Sequence, residues 1–151
     1  MQNKRNLRAL PSLRGLRHDS DLSHSAPTIS IIRETKGELP SLPFAYMKDT
    51  ILGKKYELSV AFIGEKKSHE INFKLRGKDK PTNILSFPLS KNSGEILISL
   101  STAKKDAKNF DKKPADFLGF LFIHGLLHLK GMQHGSTMEK AEKKFCKKFG
   151  F

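Results

Sequence analysis

Past Thr28 the chain changes its hydrophobic period several times. Ile29, Ile31 and Ile32 form a β-branched run that predicts a strand, and after Gly37 and Pro40 the apolar residues of 42–52 fall at helical spacing. A second strand is expected over Glu57–Ile63, where Leu58, Val60, Phe62 and Ile63 alternate and then run together. Residues 68–76 read as a helix, with Ser68 as its cap, Glu70 in its first turn and Gly77 as its stop. A polar loop over 77–83 follows, kept out of a helix by Pro81, and 84–89 reads as a strand in which Pro88 marks a sheet edge or a strand end. Gly94 precedes another strand over 95–100. Ser101 then caps a helix through Phe110, Pro114 starts a long apolar helix to Lys130, and 138–149 makes a final basic one. Strands come first and helices dominate the end, an α+β order.

Residues 1–27 break with this pattern. They carry five basic and two acidic residues, few aliphatics and no sustained period, which predicts a flexible basic extension without the apolar core of a secretory signal. The rest, 28–151, is long enough for one domain with a core of its own. The single cysteine, Cys146, excludes an intramolecular disulfide and a Cys-based zinc finger and suits a reducing cytoplasm. No stretch reaches the roughly 18 consecutive apolar residues of a membrane span; the densest, 117–129, is interrupted by His124 and His128. Lys and Arg total 28 against 15 acids, a net charge of +13, most of it within 28–151. Nucleic acid is therefore the first partner to weigh, against the plainer reading of a solvated, lysine-rich surface.

The candidate chemistry lies in His124-Gly-Leu-Leu-His128-Leu-Lys-Gly131-Met-Gln-His134. Four residues of helix turn through about 400°, so His124 and His128 share a face with Cβ atoms roughly 5–6 Å apart, close enough for both imidazoles to hold one ion. Gly131 can take the backbone that ends the helix and let His134 return to that face. Three imidazole nitrogens with an open fourth position describe a catalytic zinc site, one ion per chain. The neighbours Phe117, Leu121, Phe122, Leu126 and Leu127 bury the helix on nearly all sides. A buried imidazole without a partner costs about 1–3 kcal/mol, which a metal ion relieves; hydrogen bonds to carbonyls or an aqueous cleft are the alternatives. The spacing also matches a metzincin protease, but Gly125 stands where those enzymes need a general-base Glu. Glycine within a helix costs about 1 kcal/mol relative to Ala, so either a phosphate-bearing substrate or a neighbouring element approaches the backbone at Gly125.

HGLLHLKGMQH resembles the YbeY family, bacterial endoribonucleases of ribosomal RNA maturation with the signature H-G-x-L-H-L-x-G-Y-D-H. NFKLRGKDKPTNILSFPL is similar to that family's N-R-x-y-R-G-x-D-x-P-T-D-V-L-S-F-P segment, and GEILIS to its G-D-I-x-I-S strand, so the resemblance runs over 28–151 and leaves out 1–27. It implies an α+β domain in which a small mixed β-sheet packs with several helices and zinc is held by His124, His128 and His134 on a buried helix and the following loop. It also implies a zinc-dependent, single-strand-specific endoribonuclease of small-subunit (16S) rRNA 3′-end maturation and ribosome quality control. Such a protein works in the cytoplasm on RNA of the small subunit, beside ribosomal proteins and assembly factors, without a membrane or a small-molecule cofactor. The resemblance makes Arg76 and His124 catalytic candidates, and Arg76, Lys78 and Lys80 RNA contacts. A guanidinium fixed at a helix end can grip a phosphate bidentately and offset charge that develops in cleavage.

The chain departs from the family pattern at Gln133 and Asn83, each an amide where the motif has Asp, and at Met132 in place of Tyr. An amide cannot take up a proton, so any orienting or proton-transfer role of those carboxylates must be met differently. Two nucleophiles stay open, a water activated at the metal and the RNA's own 2′-hydroxyl. The competing class is a ribosome-assembly factor with a structural zinc that binds RNA without cutting it. On the basic last helix, Met138, Ala141, Phe145 and Phe149 are expected to face the core and leave the lysines solvated.

Overall fold

Strand β2 (Glu57–Ile63) is buried on both faces, and the rest of the molecule is arranged around that fact. The structure, a computed structural model, describes residues 28–151; the extension expected over 1–27 lies outside the described residues. One four-stranded sheet runs in the order β1-β2-β4-β3, with β1 (Ile29–Arg33), β3 (Ile84–Ser90) and β4 (Ser93–Ser99). β2 pairs parallel with both β1 and β4, while β3 runs antiparallel to β4 at the edge, so the sheet is mixed. Pro88 fits that edge, where a missing N–H breaks no inner ladder, and the register slips between Pro88 and Ser90.

Period-two alternation sends Leu58, Val60 and Phe62 of β2, with Ile96 and Ile98 of β4, to one face. There they meet α1 (Phe44–Leu52), α4 (Pro114–Leu129) and α5 (Ser136–Phe149) in the main core. Ala61 and Ile63, with Leu97, Leu85 and Phe87, point the other way onto Ile71 of α2 (Glu65–Arg76). α3 (Leu100–Asn109) flanks α4, packing Ala103 and Ala107 on Phe117 and Leu121. The fold is thus the α+β arrangement of a small mixed sheet with helices on both faces. α4 is apolar on nearly every side because sheet, α1, α3 and α5 surround it. Fully burying a side chain such as Phe122 there contributes on the order of 1.5–3 kcal/mol.

Several helix starts differ from their sequence-based positions, for local reasons. α1 begins at Phe44 rather than at residue 42, because Pro43 occupies the N-cap with a non-helical ψ of 66°. α2 begins at Glu65, not Ser68: Gly64 supplies the extended N-cap and Glu65 places its carboxylate at the positive end of the helix. Ser68 is spent elsewhere, its hydroxyl donating to the Thr82 carbonyl (2.6 Å) and accepting from the Thr82 amide (3.0 Å). Ser99, not Ser101, caps α3, accepting from the Thr102 amide at 3.4 Å. α5 starts two residues early, at Ser136. No helix among the described residues is long and apolar enough to cross a membrane.

Candidate metal centre

The histidines are positioned by the end of α4 and by the reversal after it. His124 and His128, one turn apart, are half-buried on the same face, with ring centroids 4.5 Å apart. At Gly131 the backbone takes φ +106°, a conformation L side chains rarely adopt, and the chain folds back. The Met132 amide donates to the Leu127 carbonyl (3.0 Å), and exposed His134 comes to lie 5.1 Å from the His124 ring and 4.7 Å from the His128 ring. One nitrogen from each ring falls within 4.8 Å of the others, a group that could hold a metal ion.

The outer nitrogens of the two helical histidines are committed. His124 Nδ1 is hydrogen-bonded to Glu142 of α5, and His128 Nδ1 donates to the Met132 carbonyl at 3.1 Å. Both rings therefore turn Nε2 inward, and these atoms lie 3.0 Å apart. With each proton placed on Nδ1, two lone pairs face each other and neither ring can donate to its neighbour. That donor set fits a divalent transition metal, whose histidine ligands characteristically give their second nitrogen to a carboxylate or a carbonyl. Burial, followed by the neighbouring His124, lowers the His128 pKa below its ordinary value and favours the neutral imidazole that a metal requires.

Gly125 is explained by packing. A Cβ there would lie 2.9 Å from Ser86 Oγ and 3.0 Å from Ile84 Cδ1, so the close neighbour is β3. The sheet lies on the Gly125 side of the helix, and the histidines open on another. The cleft beside them is lined by Phe120, His124, His134, Met138, Glu139 and Glu142.

The structure does not bring every candidate residue to this cleft. Arg76 is exposed at the end of α2, and Lys78 and Lys80 are exposed on the loop that follows; none of the three lines the cleft. That loop doubles back along α2: the Asn72 side chain donates to the Lys80 carbonyl (2.8 Å), His69 pairs with Asp79 (2.7 Å), and Ser68 clasps Thr82. The chain then enters β3 at Ile84, against Gly125 and so beside His124. Asn83 donates to Asp106 of α3 at 2.8 Å, and Gln133 is exposed. Met132 packs at the edge of the main core. The thiol of half-buried Cys146 is pushed up by burial, away from nucleophilic character.

Glu142 is the residue that sequence reasoning missed. It is 9% exposed and sits four residues after Met138 and three before Phe145, on the inward face of a helix otherwise rich in lysine. An acid at a core position of an amphipathic helix was the available signal.

Comparison with known proteins agrees with this architecture. The family model described as Endoribonuclease YbeY matches residues 36–150. A curated relative from Syntrophus aciditrophicus, Endoribonuclease YbeY, is 39% identical over 87 residues, covering 52% of this chain and 54% of that protein. Another of the same name, from Rhizobium etli, is 35% identical over 108 residues, covering 62% and 63%. The match thus spans between half and two-thirds of these relatives. Among solved proteins, the solution structure of TM1509 from Thermotoga maritima superposes with a TM-score of 0.58 at 29% identity, covering 78% of this chain and 86% of that one.

Proposed function

The chain belongs to the YbeY family, and from that premise we propose that it is a zinc-dependent endoribonuclease acting on single-stranded RNA. The observation that carries this reading is the convergence of His124, His128 and His134, two of them with the outer nitrogen already occupied. A zinc ion bound there would supply Lewis acidity and lower the pKa of a coordinated water. Glu142 and the Met132 carbonyl hold two imidazoles in the tautomer that presents Nε2. Of the carboxylates lining the cleft, Glu142 is engaged by His124, so Glu139 is the one placed to accept a proton. Arg76, with Lys78 and Lys80, lies outside the cleft and binds phosphates of the strand that runs to it.

The family and the basic balance together point to ribosomal RNA as substrate, in maturation of the 3′ end of small-subunit (16S) rRNA within the cytoplasm, where ribosomal proteins and assembly factors are the expected neighbours. The domain that does this is 28–151, with 1–27 as a basic extension. That Arg76 does not line the histidine cleft favours one competing reading, an RNA-binding assembly factor with a structural zinc. An unstructured RNA oligomer incubated with the zinc-loaded chain separates the two. Cleavage is expected, and its end groups identify the nucleophile, a 2′,3′-cyclic phosphate marking attack by the 2′-hydroxyl. Binding without cleavage over hours would refute the enzyme.

A further inference from the structure

Among the described residues four large apolar side chains are notably exposed, and three of them are unlike the fourth in their surroundings. Phe110 stacks on Phe117 with centroids 5.0 Å apart, Tyr46 meets Phe149 edge-on at 5.5 Å, and Ile31 is a strand residue at the sheet margin. Phe73, 57% exposed, makes no ring contact among the described residues. It lies three residues before Arg76 and seven after Lys66 on the outer face of α2, the spacings that put residues on one side of a helix. The returning loop, which carries Lys78 and Lys80, is tied back to the same helix by its bonds to His69 and Asn72.

The cations that α2 and this loop carry near Phe73 in the chain are exposed. Lys66, Lys74, Arg76, Lys78 and Lys80 form no ion pair among the described residues, whereas Lys67 of the same helix pairs with Glu34 and Lys105 of α3 with Glu65. Two acids share the surface, exposed Glu70 one turn before Phe73 and Asp79, which is held by His69, so the cations outnumber them five to two. An apolar ring kept in water costs solvation, and a ring of unpaired cations costs mutual repulsion. A polyanion that also offers flat apolar faces relieves both.

We propose that Phe73 is a stacking platform for an unpaired base, with the surrounding cations tracking the phosphates on either side of it. This surface therefore selects single-stranded RNA over duplex, because a base within a duplex has both faces covered. Protein and membrane partners are disfavoured: the aromatic surface is a single ring, too small for a protein interface core or for insertion into a bilayer. The proposal rests on the RNA-directed function above and adds to it the residue that distinguishes one strand from two.

The chain has no tryptophan, so Phe73→Trp installs a single indole at the site of interest in the full-length protein, excited selectively over the two tyrosines. Titrated with an unstructured oligouridylate, its emission is expected to be quenched saturably by about half or more, while a duplex RNA of equal length leaves it nearly unchanged. In anisotropy with the same labelled oligomer, Phe73→Ala is expected to weaken binding at least about fivefold, and Phe73→Tyr to retain it. Unquenched tryptophan, together with wild-type affinity in Phe73→Ala, overturns the platform and leaves the RNA-directed function standing. If the wild-type chain neither binds nor cuts the oligomer, the function itself falls and the platform with it.

Discussion

The helix that carries the histidines and the helix that carries Arg76 lie on opposite faces of one sheet and are built by opposite rules. α4 is buried along almost its whole length, so its few polar groups have their hydrogen bonds assigned by fixed neighbours: Glu142 for His124, the Met132 carbonyl for His128. α2 buries only Ser68, Ile71 and Asn72 and, apart from Lys67 paired with Glu34, leaves its lysines and Arg76 to solvent. A metal centre needs nitrogen atoms held to within tenths of an ångström, and dense packing supplies that. A surface that follows a flexible polyanion needs charge with freedom to adjust, and an exposed helix and a tethered loop supply that instead.

If this division is right, substitutions on the two helices fail in different ways. The largest effect is expected for His128→Ala, which removes one nitrogen of the cluster: metal content falls to background, and cleavage drops by on the order of 10³-fold or more. Elemental analysis paired with a cleavage assay reads both. Arg76→Ala should keep its metal and weaken RNA binding by on the order of 10- to 100-fold with kcat little changed, the loss typical of one charge-assisted phosphate contact. Loss of metal in that variant would break the separation between the two faces.

Glu142→Ala tests the inner shell of the packed site. Zinc affinity should weaken by about 10- to 100-fold in a competition titration, as for other partners of metal-bound histidines, while binding of RNA to the surface is unchanged. Unaltered zinc affinity would show that His124 needs no orienting carboxylate.

The smallest effect is expected at Asn83, where the family motif has Asp. Asn83→Asp would set two carboxylates about 3 Å apart, against Asp106, in place of an amide donor. At least one carboxyl pKa of the folded variant then rises above its unfolded value. The variant is destabilised by about 1–2 kcal/mol at pH 7, and the deficit closes as pH falls towards 4. Urea unfolding at both pH values measures this, and equal stability with wild type at pH 7 would mean that the Asn83–Asp106 bond contributes nothing.

How much of this was legible in the sequence follows the same division. The strands, the buried helix and the three-histidine spacing follow from periods of two and 3.6 and from a glycine at the helix end, all local signals. Helix starts were less legible, because Ser68 and Ser101 look like caps, whereas the backbone at Gly64 and the side chain of Ser99 do that work. Gly125 admitted two readings until β3 was seen against it. Glu142 was hidden because its partner is eighteen residues away and it sits in a lysine-rich helix, so only tertiary packing reveals the contact. The resemblance drew Arg76 and the histidines into one site, but which face of the sheet each occupies is decided by long-range pairing that no local pattern encodes.

The most direct test of the central claim uses a single wild-type preparation: zinc content and cleavage of single-stranded RNA, measured before chelation, after it, and after zinc is restored. About one zinc per chain, loss of cleavage on stripping, and recovery when zinc is returned are expected. Cleavage that persists undiminished in fully stripped protein would contradict a catalytic metal at His124, His128 and His134.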